Sequence, residues 1–142
     1  MSEHVLVPFD GSPQSEAALE HALEAHPEAK ITALTVIDPI EAGYGSRASF
    51  PTLSGEWFER AEIAAEETLE HAVVRSEQQG RTIETDTTTG RPARTIVEYA
   101  EETGVDAIVM GSHGRDGVAR VLLGSVAETV IRRSSVPVTV VR

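Results

Sequence analysis

Ala107-Ile108-Val109-Met110-Gly111-Ser112-His113-Gly114, followed after nine further residues by Gly124-Ser125, is the stretch on which the rest of the chain is organised. A four-residue apolar run enters it, and Ala127, Val130 and Ile131 continue from Gly124-Ser125 at helical spacing. These residues predict a strand, a glycine loop and then a helix. Glycines let main-chain amides approach an anion with no Cβ in the way, and a helix N-terminus adds unpaired N–H groups and partial positive charge. The stretch therefore predicts a phosphate cradle, although spacing alone is equally met by a ligand-free turn into a helix.

Working outward, the same alternation recurs along the chain. Val5-Leu6-Val7 is a short apolar run closed by Pro8-Phe9-Asp10-Gly11-Ser12-Pro13. It predicts a strand buried on both faces, then a turn. Ser12 followed by Pro13 is a good helix start, and Ala18, Leu19, Ala22 and Leu23 supply one apolar face as far as His26-Pro27. Ile31 to Ile37 is β-branched-rich and predicts the second strand, and residues 38–55 predict a long surface loop. Between Glu56 and Gln79, Trp57, Ala61, Ala64, Ala65, Leu69, Ala72 and Val73 predict the buried face of a helix ended by Gly80. Thr82 to Thr89 predicts a strand with a solvated face, Gly90-Arg91-Pro92 a turn, and Ala93, Ile96, Val97 and Ala100 a helix stopped at Gly104. Val105 to Met110 and Val136 to Val141 complete the strands, and Pro137 argues that the last is a sheet edge. Strands alternating with helices predict an α/β fold, a doubly wound parallel sheet covered on both faces.

Composition bounds the function. The chain's 142 residues are most simply one domain, 1–142, and the absence of cysteine excludes disulfides, thiolate metal sites and a catalytic thiol. No secretory leader or membrane-length apolar run is present, so the expectation is a cytoplasmic protein with no membrane partner. With 23 acidic residues against 12 basic ones, and Lys30 the only lysine, the net charge is −11. Nucleic acid is therefore not an expected partner. Acids spread through every segment predict an acidic surface that is self-repelling at low salt and screened at high salt, as in a salt-adapted, halophilic protein.

In open parallel sheets ligands sit beyond the carboxyl ends of the strands, where the strand order reverses. If the first and fourth strands are neighbours there, Asp10 and Gly111 face one crevice. Asp10 suits a ribose hydroxyl, the backbone at Val36 an adenine edge, and the glycine loop the phosphates. Asp10 and Ser125 are equally suited to capping the helices that follow them. No P-loop lysine motif and no Gly-x-Gly-x-x-Gly follows the first strand. Arg115 and Arg120 are the only cations near the loop in sequence, so Mg²⁺ is expected to share in neutralising a triphosphate. His113 has no identifiable catalytic partner, and His4, His21, His26 and His71 have no ligand spacing, so no protein-only metal site is expected.

Gly111, Gly114, Gly124 and Ser125 together reproduce Gly-2x-Gly-9x-Gly-Ser/Thr, the ATP-binding signature of the universal stress protein family. The chain resembles that family over essentially its whole length: Val5 to Ser12 is similar to its opening strand, Leu34 to Asp38 to its second, and Ser135 to Val141 to its close. Thr35 stands where many relatives have His. The resemblance implies a flavodoxin-like (adenine-nucleotide-hydrolase-like) sheet of five parallel strands in the order 3-2-1-4-5. It implies a site for ATP or AMP in which Pro8, Asp10 and Val36 meet the nucleoside. Met110, Gly111, Gly114, Gly124, Ser125 and Val126 then surround phosphates and ribose, with Arg115 in reach of a phosphate or simply exposed. It also implies a homodimer through the edge strand Val136–Val141. The expected role is a nucleotide-dependent sensor or regulatory module of a stress response, not an enzyme. The alternatives are a slow ATPase or phosphotransferase, and a dimeric interaction module that binds no nucleotide.

Overall fold

The computed structural model describes residues 3–39, 55–112 and 123–142. Among these residues nine elements alternate as expected: β1 (His4–Pro8), α1 (Pro13–Ala25), β2 (Lys30–Ile37), α2 (Gly55–Gln78), β3 (Glu84–Thr89), α3 (Pro92–Thr103), β4 (Ala107–Gly111), α4 (Ser125–Arg133) and β5 (Val138–Val141). All strand pairs are parallel, and the order across the sheet is β3-β2-β1-β4-β5. The order reverses between β1 and β4, which pair through Val5 with Ala107 and Leu6 with Ile108.

Successive side chains of a strand point to opposite faces, so each buried strand feeds two cores. Val5, Val7, Ile31, Ala33 and Val109 pack with Ala18, Leu19, Ala22 and Leu23 of α1 and Leu69 and Ala72 of α2. Leu6, Leu34, Ile108 and Met110 pack with Ile96, Val97 and Ala100 of α3 and Ala127 and Val130 of α4. The leftward crossovers thus place α1 and α2 on one face and the rightward ones α3 and α4 on the other, as a constant crossover hand requires.

Three expectations need correction. The buried face of α2 is Ala65, Leu69, Ala72 and Ser76, whereas Ala64 is exposed and Ala61 and Trp57 are half-buried, Trp57 lying edge-on to Phe58 at 4.8 Å. A helix of 24 residues spans about 36 Å, and its buried residues begin only at Ala65, about three turns in. The last strand begins at Val138, not Val136. Pro137, unable to donate, precedes the ladder and contributes only its carbonyl, which accepts from Ile108 N at 2.9 Å. The third correction is local: strand β4 starts at Ala107 and runs through Gly111, because Gly111 still pairs with Val141. Most of the expected 38–55 loop lies outside the described residues.

Arg81, which periodicity does not single out, closes the end of α1. Its guanidinium donates to the carbonyl of Leu23 in the last turn at 2.8 Å, and to those of Ala29 at 2.9 Å and His26 at 3.2 Å in the turn that follows.

Candidate functional site

At the carboxyl end of β1 the chain leaves through Phe9, Asp10, Gly11 and Ser12. Phe9 is tied to β2 twice: its N–H donates to the Leu34 carbonyl at 2.8 Å, and its carbonyl accepts from Thr35 Oγ1 at 2.7 Å. Gly11 turns the chain at φ +83°, a left-handed conformation that disfavours side chains. Asp10 Oδ1 accepts the Ser12 N–H at 2.9 Å, and Ser12 Oγ accepts the Ser15 N–H at 3.1 Å. Ser15 Oγ in turn donates to the Ser12 carbonyl at 3.0 Å and accepts the Asp10 N–H at 3.3 Å. The cap of α1 is therefore Ser12, with Pro13 at the first helical position, and Asp10 acts one step earlier by fixing the turn. Its carboxylate is half-buried at the crevice.

The end of β4 is pressed against the same helix. A Cβ on Gly111 would lie 2.7 Å from Gln14 Cβ and 2.8–2.9 Å from the Gln14 main-chain carbonyl, so only glycine fits between β4 and the first turn of α1. Beyond it, Ser112 N–H donates to the Val141 carbonyl at 2.9 Å. The Ser112 carbonyl accepts the Gly124 N–H at 2.7 Å, which draws the two ends of the glycine stretch together and seats the start of α4 at the end of β4. Gly124 is the N-cap of α4, at φ −70° and ψ 159°, with no side chain to satisfy the first helical N–H groups. Ser125, for which capping was one expectation, is instead the first helical residue and is exposed.

Along β2 the carbonyl of Leu34 points to β1, and that of Ile37 to the β3 side, where it accepts the Gly90 N–H at 2.9 Å. Alternation then turns the main-chain groups of Val36 toward β1, past the last β1–β2 pair, Pro8 with Leu34. The Val36 backbone thus faces the crevice, while its side chain packs on the α3–α4 core. Just beyond, the Asp38 carboxylate is only 6% exposed and lies 3.7 Å from Arg91 Nε.

Of the expected site residues, Pro8, Asp10, Val36, Met110, Gly111, Gly124, Ser125 and Val126 all lie at strand ends or at the start of α4 around this crevice. Gly114, Arg115 and His113 lie outside the described residues. The side chains of Met110, 4% exposed, and Val126 belong to the α3–α4 core, which leaves main chain as what they offer a ligand. Gln14, Ser15, Asp38 and Arg91 went unrecognised from sequence, because no spacing signals a helix turn packed on a distant glycine or an ion pair 53 residues apart.

Elsewhere, a groove of about 340 Å³ between α1 and α2 is lined by Glu16, Glu70, His71, Val74, Arg75 and Gln78, and Arg75 bridges to Glu16 and Glu20 there. At the amino end of the sheet His4 Nε2 lies 2.9 Å from Thr32 Oγ1, and burial, then the charge of Lys30, lowers its pKa from 6.5 against the opposing pull of Glu84 and Asp106. Among the described residues no group of three His, Asp or Glu is placed to hold a metal ion, and no helix is long and apolar enough to cross a membrane. The charge is also less even than expected: beyond Gly114 only Asp116 and Glu128 are acidic, against five arginines, so the α4 end of the crevice belongs to the one cationic segment.

The model of the universal stress protein family matches residues 1–142. A universal stress protein of Methanocaldococcus jannaschii, MJ0531, is 37% identical over 141 residues, covering 97% of this chain and 81% of that protein. The solved structure of MJ0577 from the same organism superposes with a TM-score of 0.84 at 34% identity, over 99% of this chain and 96% of that one. A universal stress protein solved in complex with cAMP superposes with a TM-score of 0.71 at 32% identity, over 99% of this chain and 97% of its own.

Proposed function

The chain belongs to the universal stress protein family, and on that premise we propose that it binds an adenine nucleotide, ATP or AMP, in the crevice between β1, β2 and β4. The observation that carries this reading is the start of α4. Its N-cap is a glycine without a capping side chain, held at the end of β4 by the 2.7 Å bond from Gly124 to Ser112, beside Gly111. The first N–H groups of that helix are a donor set for phosphate oxygens. Asp10 is then placed for the ribose hydroxyls and the Val36 main chain for the base edge. Mg²⁺ bound through the phosphates completes the charge balance of a triphosphate. A relative of this family carries cAMP, which is the same ligand class.

The proposed role is binding, with the nucleotide biasing the state it binds better, and not turnover. In support, Asp10, the carboxylate at the β1 end of the crevice, already accepts the Ser12 N–H, and among the described residues no base is held against a nucleophile there. Assembly as a homodimer through the outer edge of β5 accompanies this reading. Among the described residues that edge has no strand partner, and an unpaired apolar edge is a template for a second chain.

The test is direct. Purified protein is denatured and its supernatant examined for ATP and AMP by chromatography and mass, and the melting temperature is followed with each nucleotide. Saturation a hundredfold above Kd is expected to add about 2.7 kcal/mol. Asp10→Asn retains an oxygen for the Ser12 N–H but loses the charge, so it is expected to fold normally and bind about tenfold more weakly. A protein that carries no nucleotide and gives no shift with either overturns the reading.

A further inference from the structure

The end of β1 parts from β2 one bond before a regular ladder would release it. Pro8 pairs with Leu34, which sets Phe9 opposite Thr35, and the Phe9 N–H accordingly donates to the Leu34 carbonyl at 2.8 Å. In a parallel ladder the Phe9 carbonyl would next accept the Val36 N–H. It accepts Thr35 Oγ1 instead, at 2.7 Å. Among the described residues neither main-chain group of Val36 then has a hydrogen-bond partner, although both point toward β1.

Phe9 is not free to swing away from this choice. The residue is 2% exposed, with its side chain in the core beneath α1 and α2, the face that Thr35 shares with Ala33 by strand alternation. A carbonyl so placed is costly to leave without a donor, and two donors compete for it: the Thr35 hydroxyl and the Val36 N–H. Because the hydroxyl has it, Val36 keeps a donor and an acceptor side by side at the crevice. Adenine offers the complementary edge, a ring nitrogen acceptor beside the N6 amino donor.

We propose that Thr35 is a positioning residue for the base: by bonding the Phe9 carbonyl it holds the Val36 N–H and carbonyl open for the adenine edge. This rests on the nucleotide reading above, and it makes the contribution of Thr35 independent of the number of phosphates. Binding of adenosine, AMP, ATP and inorganic tripolyphosphate is measured calorimetrically for the wild type, Thr35→Val and Thr35→Ser, and exchange of the Val36 amide is followed by NMR in the nucleotide-free proteins. Thr35→Val keeps the shape but not the donor, so the Phe9 carbonyl is expected to pass to the Val36 N–H. Adenosine, AMP and ATP then weaken by the same factor, about tenfold, tripolyphosphate is unchanged, and Val36 exchange slows by more than about tenfold. Thr35→Ser, which keeps the hydroxyl, is expected to restore both readouts. Unchanged affinities in Thr35→Val overturn the positioning role and leave the nucleotide reading intact. An equal loss of tripolyphosphate binding, or no recovery with serine, overturns it in favour of a merely structural threonine. A Val36 amide already as protected as that of Leu34 in the free wild type overturns it whatever the variants do. A wild type that binds none of adenosine, AMP and ATP overturns both.

Discussion

Helices α1 and α4 flank the β1–β4 side of the crevice, and they start in opposite ways. Helix α1 begins in a turn whose polar groups satisfy one another: Asp10 holds Ser12, Ser12 caps the helix through Ser15, and Ser15 returns to both. Helix α4 begins at a glycine whose own N–H is used to reach Ser112 and which has no side chain for the groups that follow. Side-chain caps and bound anions satisfy the same orphan N–H groups, so a helix that has one has less use for the other. Under the proposed nucleotide reading, the difference gives α1 the architecture to hold and α4 the ligand.

The largest test of this contrast is Gly111→Ala, at the point where α1 and β4 touch. The new methyl group meets the main chain of Gln14 inside 3 Å, and main chain cannot swing away, so α1 must shift. A loss of about 2 kcal/mol in chemical denaturation is expected, with nucleotide binding impaired as well. A loss under about 0.5 kcal/mol would mean that the close approach is soft and α1 is no rigid wall.

Next comes Gly124→Asp. The cap residue has ordinary extended dihedrals, so aspartate fits, and its carboxylate can accept the first helical N–H groups. The free protein is expected to gain about 0.5 kcal/mol while ATP affinity falls about tenfold, since one internal anion now occupies the place of the external one. A variant that gains stability and binds ATP as before would break the assignment of α4. Ser12→Ala is the complementary change: about 1 kcal/mol of stability lost, read by thermal melting, with nucleotide affinity altered far less than in Gly124→Asp.

The smallest effect lies at the opposite end of the sheet. His4 has its pKa lowered in the fold, so the unfolded chain takes up the proton first. The stability this contributes is complete above pH 6.5 and is lost as pH falls below that value through the depressed folded pKa. His4→Gln is expected to flatten that part of the stability curve in denaturation at stepped pH, leaving ATP binding unaffected because His4 lies a strand's length from the crevice. An identical slope in wild type and variant would remove His4 from the account.

The legible parts of the sequence were those governed by local rules. Ser12-Pro13 and Gly104 marked helix ends because caps and left-handed turns act over a few residues, and the structure has both where they were expected. Apolar runs such as Val5-Leu6-Val7 marked buried strands because a strand covered on both faces has no polar side to show. Pattern misled at Ala64, which is exposed, and at Trp57, which is only half-buried, since periodicity records amphipathicity and not the size of the neighbour. At the site, glycine spacing singled out Gly111 and Gly124 but suggested the same purpose for both. One admits α1 and the other begins a helix at a cap residue that has no side chain.

By itself, then, the sequence determined the order of strands and helices, their principal caps, and the set of glycines and the carboxylate that meet at the strand ends, all consequences of short-range geometry and of burial. Only the tertiary structure decided what those residues touch. Gln14 lies against Gly111 from 97 positions away, Ser112 takes the Gly124 N–H, and the Asp38 carboxylate comes within 3.7 Å of Arg91 Nε across the ends of two strands. Such contacts arise from how the crossovers stack helices on the sheet, and no local propensity encodes them.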